Sequence, residues 1–234
     1  PAPYWIDPDS PEIFFPDVEA ALREPDGLLA VGGDLKPARL LYAYRNGIFP
    51  WFGPDQPILW WAPDPRLVLF PDQLRISRSL SKTLRKKLFT ITFDTAFAQV
   101  VLECAAPRPG QAGTWITAEM QAAYMRLHEL GHAHSVECWQ HGKLVGGLYG
   151  IAIGHVFFGE SMFTRVADAS KVGFVTLVQK LQASGYRLID CQVHTDHLES
   201  LGATMIPRSD FTRLLKRETW QMATSPWTQA DGDS

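Results

Sequence analysis

Residues 135–163 read SVECWQ HG KLVGGLYGIAI G HVFFGESMF, and this stretch decides the fold. Three largely apolar runs are separated by the short breaks His141-Gly142 and Gly154. Runs of this kind, joined by one- or two-residue breaks that contain glycine, are typical of β-hairpins. The pattern predicts three neighbouring antiparallel strands, at 135–140, 143–153 and 155–163.

The segments on either side alternate between strand-like and helix-like patterns. Thr117 stands where a helix N-cap is expected, and Gly131 stands where that helix should end. The predicted strands are 67–70, 89–93 and 187–193, and the predicted helices are 79–87, 96–105, 118–130, 168–183 and 210–218. These elements indicate an α+β protein with a mixed, largely antiparallel sheet.

The N-terminal quarter differs in composition from the rest of the chain. Thirteen of the 17 prolines and four of the 8 tryptophans precede residue 72. This shift predicts a small, loop-rich N-terminal domain at 1–62 and a larger domain at 63–221. Within the first we expect a helix at 38–46, closed by Gly47, and little other regular structure. We expect the tail at 222–234 to be mobile.

Composition limits the functional classes. The 234 residues are 46% hydrophobic and carry a formal net charge of -3, so any contact with nucleic acid must come from a local basic patch. The chain has no apolar run of about 20 residues, and its Pro-rich, acidic start does not resemble a secretory signal. We therefore expect a cytoplasmic protein.

Cys104, Cys138 and Cys191 lack metal-type spacing and are expected to be reduced, buried thiols.

A basic stripe surrounds the predicted helix 79–87. Its charges recur three or four residues apart, at Arg75, Arg78, Lys82 and Arg85, and no acid separates them. An exposed helix face usually mixes charges of both signs. A stripe of one sign therefore favours phosphate binding over a merely solvated face.

The segment His128-Glu129-Leu130-Gly131-His132 matches the H-E-x-x-H pattern of zinc proteases. We predict that the match is accidental, because Gly131 should end the helix that would have to carry both histidines. The longer zinc-protease pattern also requires a glycine and a histidine where this chain has Ser135 and Cys138. No metal is expected.

Two carboxyl residues lie inside apolar, strand-like runs. Glu160 stands in Gly159-Glu160-Ser161-Met162-Phe163, and Asp190 stands in Leu188-Ile189-Asp190-Cys191-Gln192-Val193. An unpaired charge in such a run is costly unless a site uses it, so both residues indicate a functional site. The alternative is a pair of buried carboxylates held by structural partners.

These two motifs are accompanied, in order, by Phe49-Pro50-Trp51-Phe52, Gly113-Thr114-Trp115-Ile116-Thr117 and Gly146-Gly147-Leu148-Tyr149-Gly150. The set resembles the leucyl/phenylalanyl-tRNA-protein transferase family over residues 26–210. The resemblance implies an acetyltransferase-like (GNAT) fold for the larger domain. It implies transfer of Leu, Phe or Met from aminoacyl-tRNA to the α-amine of proteins that begin with Arg or Lys, which marks those proteins for degradation. No cofactor and no membrane partner are implied.

The resemblance also implies how the donor is bound. Trp51 and Trp115 would stack on the terminal adenine of the tRNA. Leu148, Met162 and Ile189 would line a narrow apolar pocket for the transferred side chain, where a stiff β-branched chain would clash. Family members often carry Met where this chain has Leu148. The basic stripe would hold the tRNA backbone.

For the acceptor, the resemblance implies that Glu160 and Asp190 bind its basic first residue. Asp190 and Gln192 are two apart on one predicted strand, so their side chains should share a face. We expect Asp190 to orient the Gln192 amide while Gln192 accepts a hydrogen bond from the attacking amine. An aminoacyl ester is already activated, so no enzyme nucleophile is required. The sequence leaves open whether Asp190 is a base or an electrostatic support.

Two other functions fit parts of the sequence. A coenzyme A-dependent N-acetyltransferase could share the fold, but residues 164–169, TRVADA, contain no glycine to let the backbone approach a pyrophosphate. A noncatalytic tRNA-binding module would bind tRNA without transferring anything.

Overall fold

The computed structural model describes residues 2–107 and 116–227. A small sheet occupies the N-terminal part, with strands β1 (Tyr4–Ile6), β2 (Leu28–Gly32), β3 (Phe49–Pro50) and β4 (Leu59–Trp61) in the order β1-β2-β4-β3. Helix α1 (Pro37–Arg45) and Gly47, which has a φ of 78°, agree with the prediction. The expectation of little other regular structure is wrong, because strands of two to five residues are too short to show an alternating pattern.

The large sheet follows. Its strands are β5 (Arg66–Leu69), β6 (Thr90–Phe93), β7 (Ala133–Gln140), β8 (Lys143–Ile153), β9 (Val156–Thr164), β10 (Leu188–Gln192) and β11 (Thr204–Ile206). Its helices are α2 (Arg78–Arg85), α3 (Phe97–Ala105), α4 (Ala118–Glu129), α5 (Ala169–Ala183), α6 (Asp196–Ser200) and α7 (Arg208–Glu218). Within the described ranges, no helix is both long and apolar enough to cross a membrane.

The strand order β11-β5-β10-β9-β8-β7-β6 confirms the predicted mixed, largely antiparallel sheet and the α+β class. The predicted series β7, β8 and β9 is antiparallel throughout. Strands β9 and β10 are the parallel pair, which the crossover helix α5 connects. Strand β11 and helix α6 were not predicted, because each has only three to five residues.

The two sheets share one hydrophobic core. Trp60 of β4 and Tyr44 of α1 belong to the same buried cluster as Phe158 of β9 and Phe211 of α7. The Tyr44 and Phe158 rings lie 5.3 Å apart between centroids. The division into domains 1–62 and 63–221 stays a prediction, and the shared core fixes the N-terminal part against the large sheet.

Close packing of helix α5 on the sheet depends on glycine. A Cβ atom added to Gly146 of β8 would lie 2.8 Å from the Cβ atom of Ala169, at the start of α5. Any larger residue would therefore push α5 away from β8. This contact matters for function because α5 carries Phe174, which lines the cavity described below.

The segment after residue 222 is anchored up to Trp227, where the sequence predicts a mobile tail. Trp227 is buried, and its ring stacks on the imidazole of His134 with centroids 4.2 Å apart. It also contacts the rings of Phe93 and Phe157. An aromatic residue buried against β7 and β9 supplies the anchoring that the polar sequence around it does not reveal. Residues 228–234 lie outside the described residues.

Candidate active site

A cavity of about 530 Å³ brings residues of both sheets together. The small sheet and its loops contribute Asp26, Phe49, Trp51, Trp61 and Pro63. The large sheet contributes residues of β8, β9 and β10, and helix α6 and its N-terminal flank contribute Thr195, His197 and Leu198. The volume suits a medium-sized organic ligand.

The three residues predicted to line an apolar pocket all line this cavity. Leu148 of β8 and Met162 of β9 are direct partners in the sheet register, and Ile189 lies on the neighbouring β10. Phe157 and Phe174 complete the apolar wall. The structure thus brings together Leu148, Met162 and Ile189, although they are distant in sequence.

Asp190 forms a buried ion pair with Arg66, which the sequence reasoning missed. Its carboxylate accepts hydrogen bonds from Arg66 Nε at 2.9 Å and from Arg66 Nη2 at 2.7 Å, and both side chains are fully buried. The remaining guanidinium nitrogen, Nη1, donates to the Gly47 carbonyl at 2.8 Å. The guanidinium lies over the rings of Phe49 and Phe211, at 4.8 and 4.6 Å. The ion pair with Arg66 is what the alternative of a structurally held carboxylate predicts, and the catalytic role of Asp190 stays a prediction.

The predicted side-chain contact between Asp190 and Gln192 is wrong. The β5–β10 register shifts between the two residues, and Gln192 has a φ of 64°, so the regular alternation of side chains is interrupted between them. Asp190 Oδ1 instead accepts a hydrogen bond from the backbone N–H of Gln192, at 2.9 Å. The bulge thus has a physical cause: one carboxylate holds both Arg66 and the unusual Gln192 backbone.

The side-chain amide of Gln192 is oriented by Glu160. Gln192 Nε2 donates to Glu160 Oε1 at 3.2 Å, and both residues line the cavity. The sequence had pointed to Asp190, and not to Glu160, as the partner of this amide. The carbonyl oxygen, at the other end of the amide, is the atom that can accept a hydrogen bond from a ligand.

The Glu160 carboxyl group and the hydroxyl groups of Tyr44 and Tyr124 lie within hydrogen-bond distance of one another. Tyr44 Oη lies 2.5 Å from Glu160 Oε1, Tyr124 Oη lies 2.9 Å from Glu160 Oε2, and the two tyrosine oxygens lie 2.6 Å apart. Both tyrosine hydroxyls donate to the Glu160 carboxyl, whose Oε1 also accepts a hydrogen bond from Gln192 Nε2. Each oxygen of this carboxyl therefore has a donor beside it.

Burial dominates the electrostatics of Glu160. Burial is the main cause that raises the pKa of Glu160 from 4.5 to about 8, and hydrogen bonds from Tyr44 and Tyr124 oppose the rise. Burial also raises the pKa values of both tyrosines well above their usual value, so they remain protonated donors. Near pH 7 the Glu160 carboxyl is mostly neutral. The predicted role of Glu160 and Asp190 in binding a basic acceptor stays a prediction, with Asp190 paired with Arg66 and the pKa of Glu160 raised.

Of the two tryptophans predicted to stack on the adenine, the structure describes Trp51. Trp51 is 49% exposed and lines the cavity, where it meets Trp61 edge to face at 5.8 Å between centroids. Trp61 Nε1 donates to the Trp51 carbonyl at 2.7 Å, which fixes both residues. Trp115 lies outside the described residues. The sequence reasoning missed Trp61, although it stands close to the predicted domain boundary.

The basic stripe is exposed along helix α2 and the residues before it. Arg75, Arg78, Lys82 and Arg85 are all exposed, as are Lys86 and Lys87. Within residues 2–107 and 116–227, none of the four predicted cations forms an ion pair. Their charges therefore remain available to an anionic partner.

The two histidines of the H-E-x-x-H match occupy different settings. Helix α4 ends at Glu129, and Gly131 has a φ of 82°, so His132 lies beyond the helix that carries His128. His128 Nδ1 lies 2.8 Å from the Ala133 carbonyl, and the imidazole stacks on Phe97 at 4.1 Å. The two rings are thus not held one helical turn apart, as the zinc motif requires.

Potential metal ligands meet at the surface near helix α6. The ligand atoms of His194, Asp196 and Glu199 lie within 4.8 Å of one another, and all three residues are exposed. His194 Nε2 and Glu199 Oε2 are 2.9 Å apart, which is the geometry of a surface ion pair. The cluster lies outside the cavity lining, and the cavity chemistry does not require it.

Comparisons with known proteins support the resemblance seen in the motifs. The family model described as leucyl/phenylalanyl-tRNA protein transferase matches residues 68–216, and the model of that family's N-terminal domain matches residues 33–64. A leucyl/phenylalanyl-tRNA--protein transferase of Stutzerimonas stutzeri (strain A1501) is 59% identical over 95% of this chain and 98% of its own length. A protein of the same name from Chromohalobacter salexigens is 66% identical, over 85% of this chain and 78% of its own length.

Among solved structures, a GCN5-related N-acetyltransferase from Kribbella flavida is similar, with 12% identity and a TM-score of 0.34. The similarity covers 74% of this chain and 61% of that chain.

Proposed function

The chain belongs to the leucyl/phenylalanyl-tRNA protein transferase family, and on that premise we propose that its cavity joins Leu, Phe or Met from aminoacyl-tRNA to proteins that begin with Arg or Lys. The product is a protein with one additional N-terminal residue, which serves as a degradation signal. The observation that carries the proposal is the single cavity in which an apolar pocket adjoins the Gln192–Glu160 amide pair.

The donor is bound by surfaces of different chemistry. The adenine stacks against Trp51, and the aminoacyl side chain enters the pocket formed by Leu148, Met162 and Ile189. We expect this pocket to favour side chains that are unbranched at Cβ, because a β-branched chain is stiff close to the backbone. The tRNA body rests on the basic stripe of helix α2, whose cations replace the counterions held by the tRNA phosphates.

The chemical step is aminolysis of an ester. The acceptor's α-amine attacks the ester carbonyl carbon, the new C–N bond forms, and the bond from that carbon to the ribose oxygen breaks. The proton lost by the amine passes to the departing ribose oxygen, so atoms and charge balance. An α-amine with a pKa of about 7.7 to 8.0 has a neutral fraction near pH 7, so a strong base is not needed.

Within this step, Gln192 is the catalytic residue that touches the reacting amine. Its amide nitrogen donates to Glu160, which leaves its carbonyl oxygen to accept a hydrogen bond from the attacking amine. A neutral Glu160 suits this arrangement, because an ionised carboxylate would stabilise the protonated amine, which cannot attack. Glu160 contacts the acceptor near its amine through hydrogen bonds.

Asp190 acts through Gln192 as a positioning residue. Both of its oxygens accept hydrogen bonds from Arg66, and one also holds the Gln192 backbone. Because both oxygens of Asp190 already accept hydrogen bonds, we propose that Asp190 acts as an electrostatic support and not as a general base. Cys191, which also lines the cavity, is a poor nucleophile because burial raises the pKa of its thiol.

A transfer assay tests the proposal. Leu-tRNA, Phe-tRNA and acetyl-CoA are each offered with peptides that begin with Arg, Lys or Ala, and products are identified by mass spectrometry. We expect Leu and Phe to be added to the Arg and Lys peptides, with no acetylated product. Binding of tRNA without any transfer would support the noncatalytic module, and acetylation would support the coenzyme A-dependent alternative.

A further inference from the structure

The cavity needs a negative charge to select a basic acceptor, and the two carboxyl groups that the sequence pointed to are engaged by other side chains. Asp190 is paired with Arg66, and Glu160 accepts hydrogen bonds from Tyr44, Tyr124 and Gln192. Asp26 is the third carboxyl residue that lines the cavity.

The charge of Asp26 is uncompensated. Asp26 is exposed, and its carboxylate accepts one long hydrogen bond, from the backbone N–H of Asp64 at 3.5 Å. Throughout the part of the chain that the structure describes, no lysine, arginine or histidine forms an ion pair with it.

The backbone fixes Asp26 at this position. The following residue, Gly27, is buried with a φ of 87°, and a Cβ atom added there would lie 2.5 Å from the Pro63 backbone. The Gly27 carbonyl accepts a hydrogen bond from the Ala62 N–H at 2.7 Å, and the Gly27 N–H donates to the Leu22 carbonyl at 2.8 Å. Only glycine fits this approach, so the turn holds Asp26 against the Trp61–Pro63 side of the cavity.

The cavity that Asp26 lines also contains an aromatic ring, that of Trp61, and the hydrogen bond from Trp61 Nε1 to the Trp51 carbonyl fixes this ring. A carboxylate beside an indole is a favourable setting for a guanidinium or ammonium group, which gains a charge-assisted hydrogen bond and a cation–π contact.

We propose that Asp26 recognises the basic side chain of the acceptor's first residue, with Trp61 of the same cavity as an aromatic surface for it. The inference rests on the proposed function, because it assumes an acceptor that begins with Arg or Lys. The inference assigns two tasks to different parts of the cavity. Gln192 and Glu160 hold the reacting α-amine of the acceptor's first residue, and Asp26 binds the charged end of that residue's side chain.

The test compares Asp26→Asn, Asp26→Glu and the control Asp55→Asn, which removes an exposed carboxylate from a nearby loop outside the cavity lining. Transfer of Leu to peptides that begin with Arg, Lys or Ala is measured, together with binding of an aminoacyl-adenosine fragment. We expect Asp26→Asn to lower kcat/KM for the Arg and Lys peptides by about 10- to 100-fold, mainly through KM. The slow reaction of the Ala peptide and fragment binding should be unchanged, Asp26→Glu should restore part of the loss, and Asp55→Asn should match the parent.

Parent-like use of the Arg peptide by Asp26→Asn would overturn the inference while leaving the proposed function in place. Weaker fragment binding by that variant would also overturn it, since Asp26 would then contact the donor. If the unaltered chain transfers nothing to any peptide, the proposed function itself fails, which is a different result.

Discussion

Arg66 and Asp190 stand 124 positions apart and form a two-point ion pair, with hydrogen bonds of 2.9 and 2.7 Å and no exposure to solvent. The pair connects the Gly47 turn after helix α1 to the Gln192 bulge in β10. A pair so deeply buried is held in place by its partners on all sides. Its loss should therefore be felt in stability as well as in catalysis.

Removing one member of this pair should destabilise the fold. Asp190→Ala leaves the Arg66 guanidinium buried and uncompensated, which costs about 3–5 kcal/mol. Urea-induced unfolding measures this loss, and Asp55→Ala serves as the control because Asp55 is exposed. The double variant Arg66→Met with Asp190→Met should lose less than the sum of the single changes. Single variants as stable as the parent would show that the pair is not structural.

A second prediction concerns pH and Glu160. Its pKa is raised in the folded protein to about 8, above the ordinary value of 4.5, so the folded state holds the proton more tightly than the unfolded state. The resulting stabilisation is fully present below pH 4.5 and is lost as the pH rises through 8. Melting temperatures measured from pH 5 to 8.5 should fall with pH in the parent and fall less in Glu160→Gln. Equal slopes in the parent, Glu160→Gln and the exposed control Glu24→Gln would contradict the neutral Glu160.

The pocket residues predict side-chain selectivity. Leu148→Phe adds volume opposite Met162 and should exclude the larger donor side chain first. We expect kcat/KM for Phe-tRNA to fall at least about 10-fold more than that for Leu-tRNA. The control Leu102→Phe changes an exposed leucine and should leave the ratio unchanged. Equal losses for Phe and Leu would place the Leu148 side chain outside the aminoacyl pocket.

Local features of the fold were predictable from the sequence, because neighbouring residues determine them. Thr117 caps helix α4 by accepting a hydrogen bond from the Met120 N–H, and the β7–β8–β9 series follows from its own apolar runs. The lining residues Leu148, Met162 and Ile189 came from the motifs that carry the family resemblance.

Long-range partners were not predictable from the sequence. Nothing near Asp190 shows that Arg66 lies beside it, and Tyr44 and Tyr124 meet across 80 positions. Side chains alternate between the two faces of a regular strand, which predicted Asp190 and Gln192 on one face. The bulge between them interrupts this alternation. These misses occur where tertiary hydrogen bonds determine the local geometry.

The basic stripe predicts the salt dependence of tRNA binding. Each cation that contacts a phosphate releases counterions, so Arg78→Ala with Lys82→Ala should weaken tRNA binding and reduce the slope of log K against log salt by about one to two units. Transfer from a minimal aminoacyl-adenosine donor should be nearly unchanged, because that donor has no tRNA body. The control Lys143→Ala with Arg187→Ala removes two exposed cations elsewhere. Equal losses with the full and the minimal donor would show that helix α2 supports the fold.

The most direct test of the central claim is the single-turnover rate of Leu transfer from Leu-tRNA to an Arg-initiated peptide in Gln192→Ala. Leu-tRNA binding and thermal unfolding are measured on the same preparation, with the exposed Gln73→Ala as control. If Gln192 holds the attacking amine, the rate should fall by about 100-fold while binding and stability stay close to those of the parent. A parent-like rate in a folded Gln192→Ala protein would contradict the account and would place the reacting amine elsewhere in the cavity.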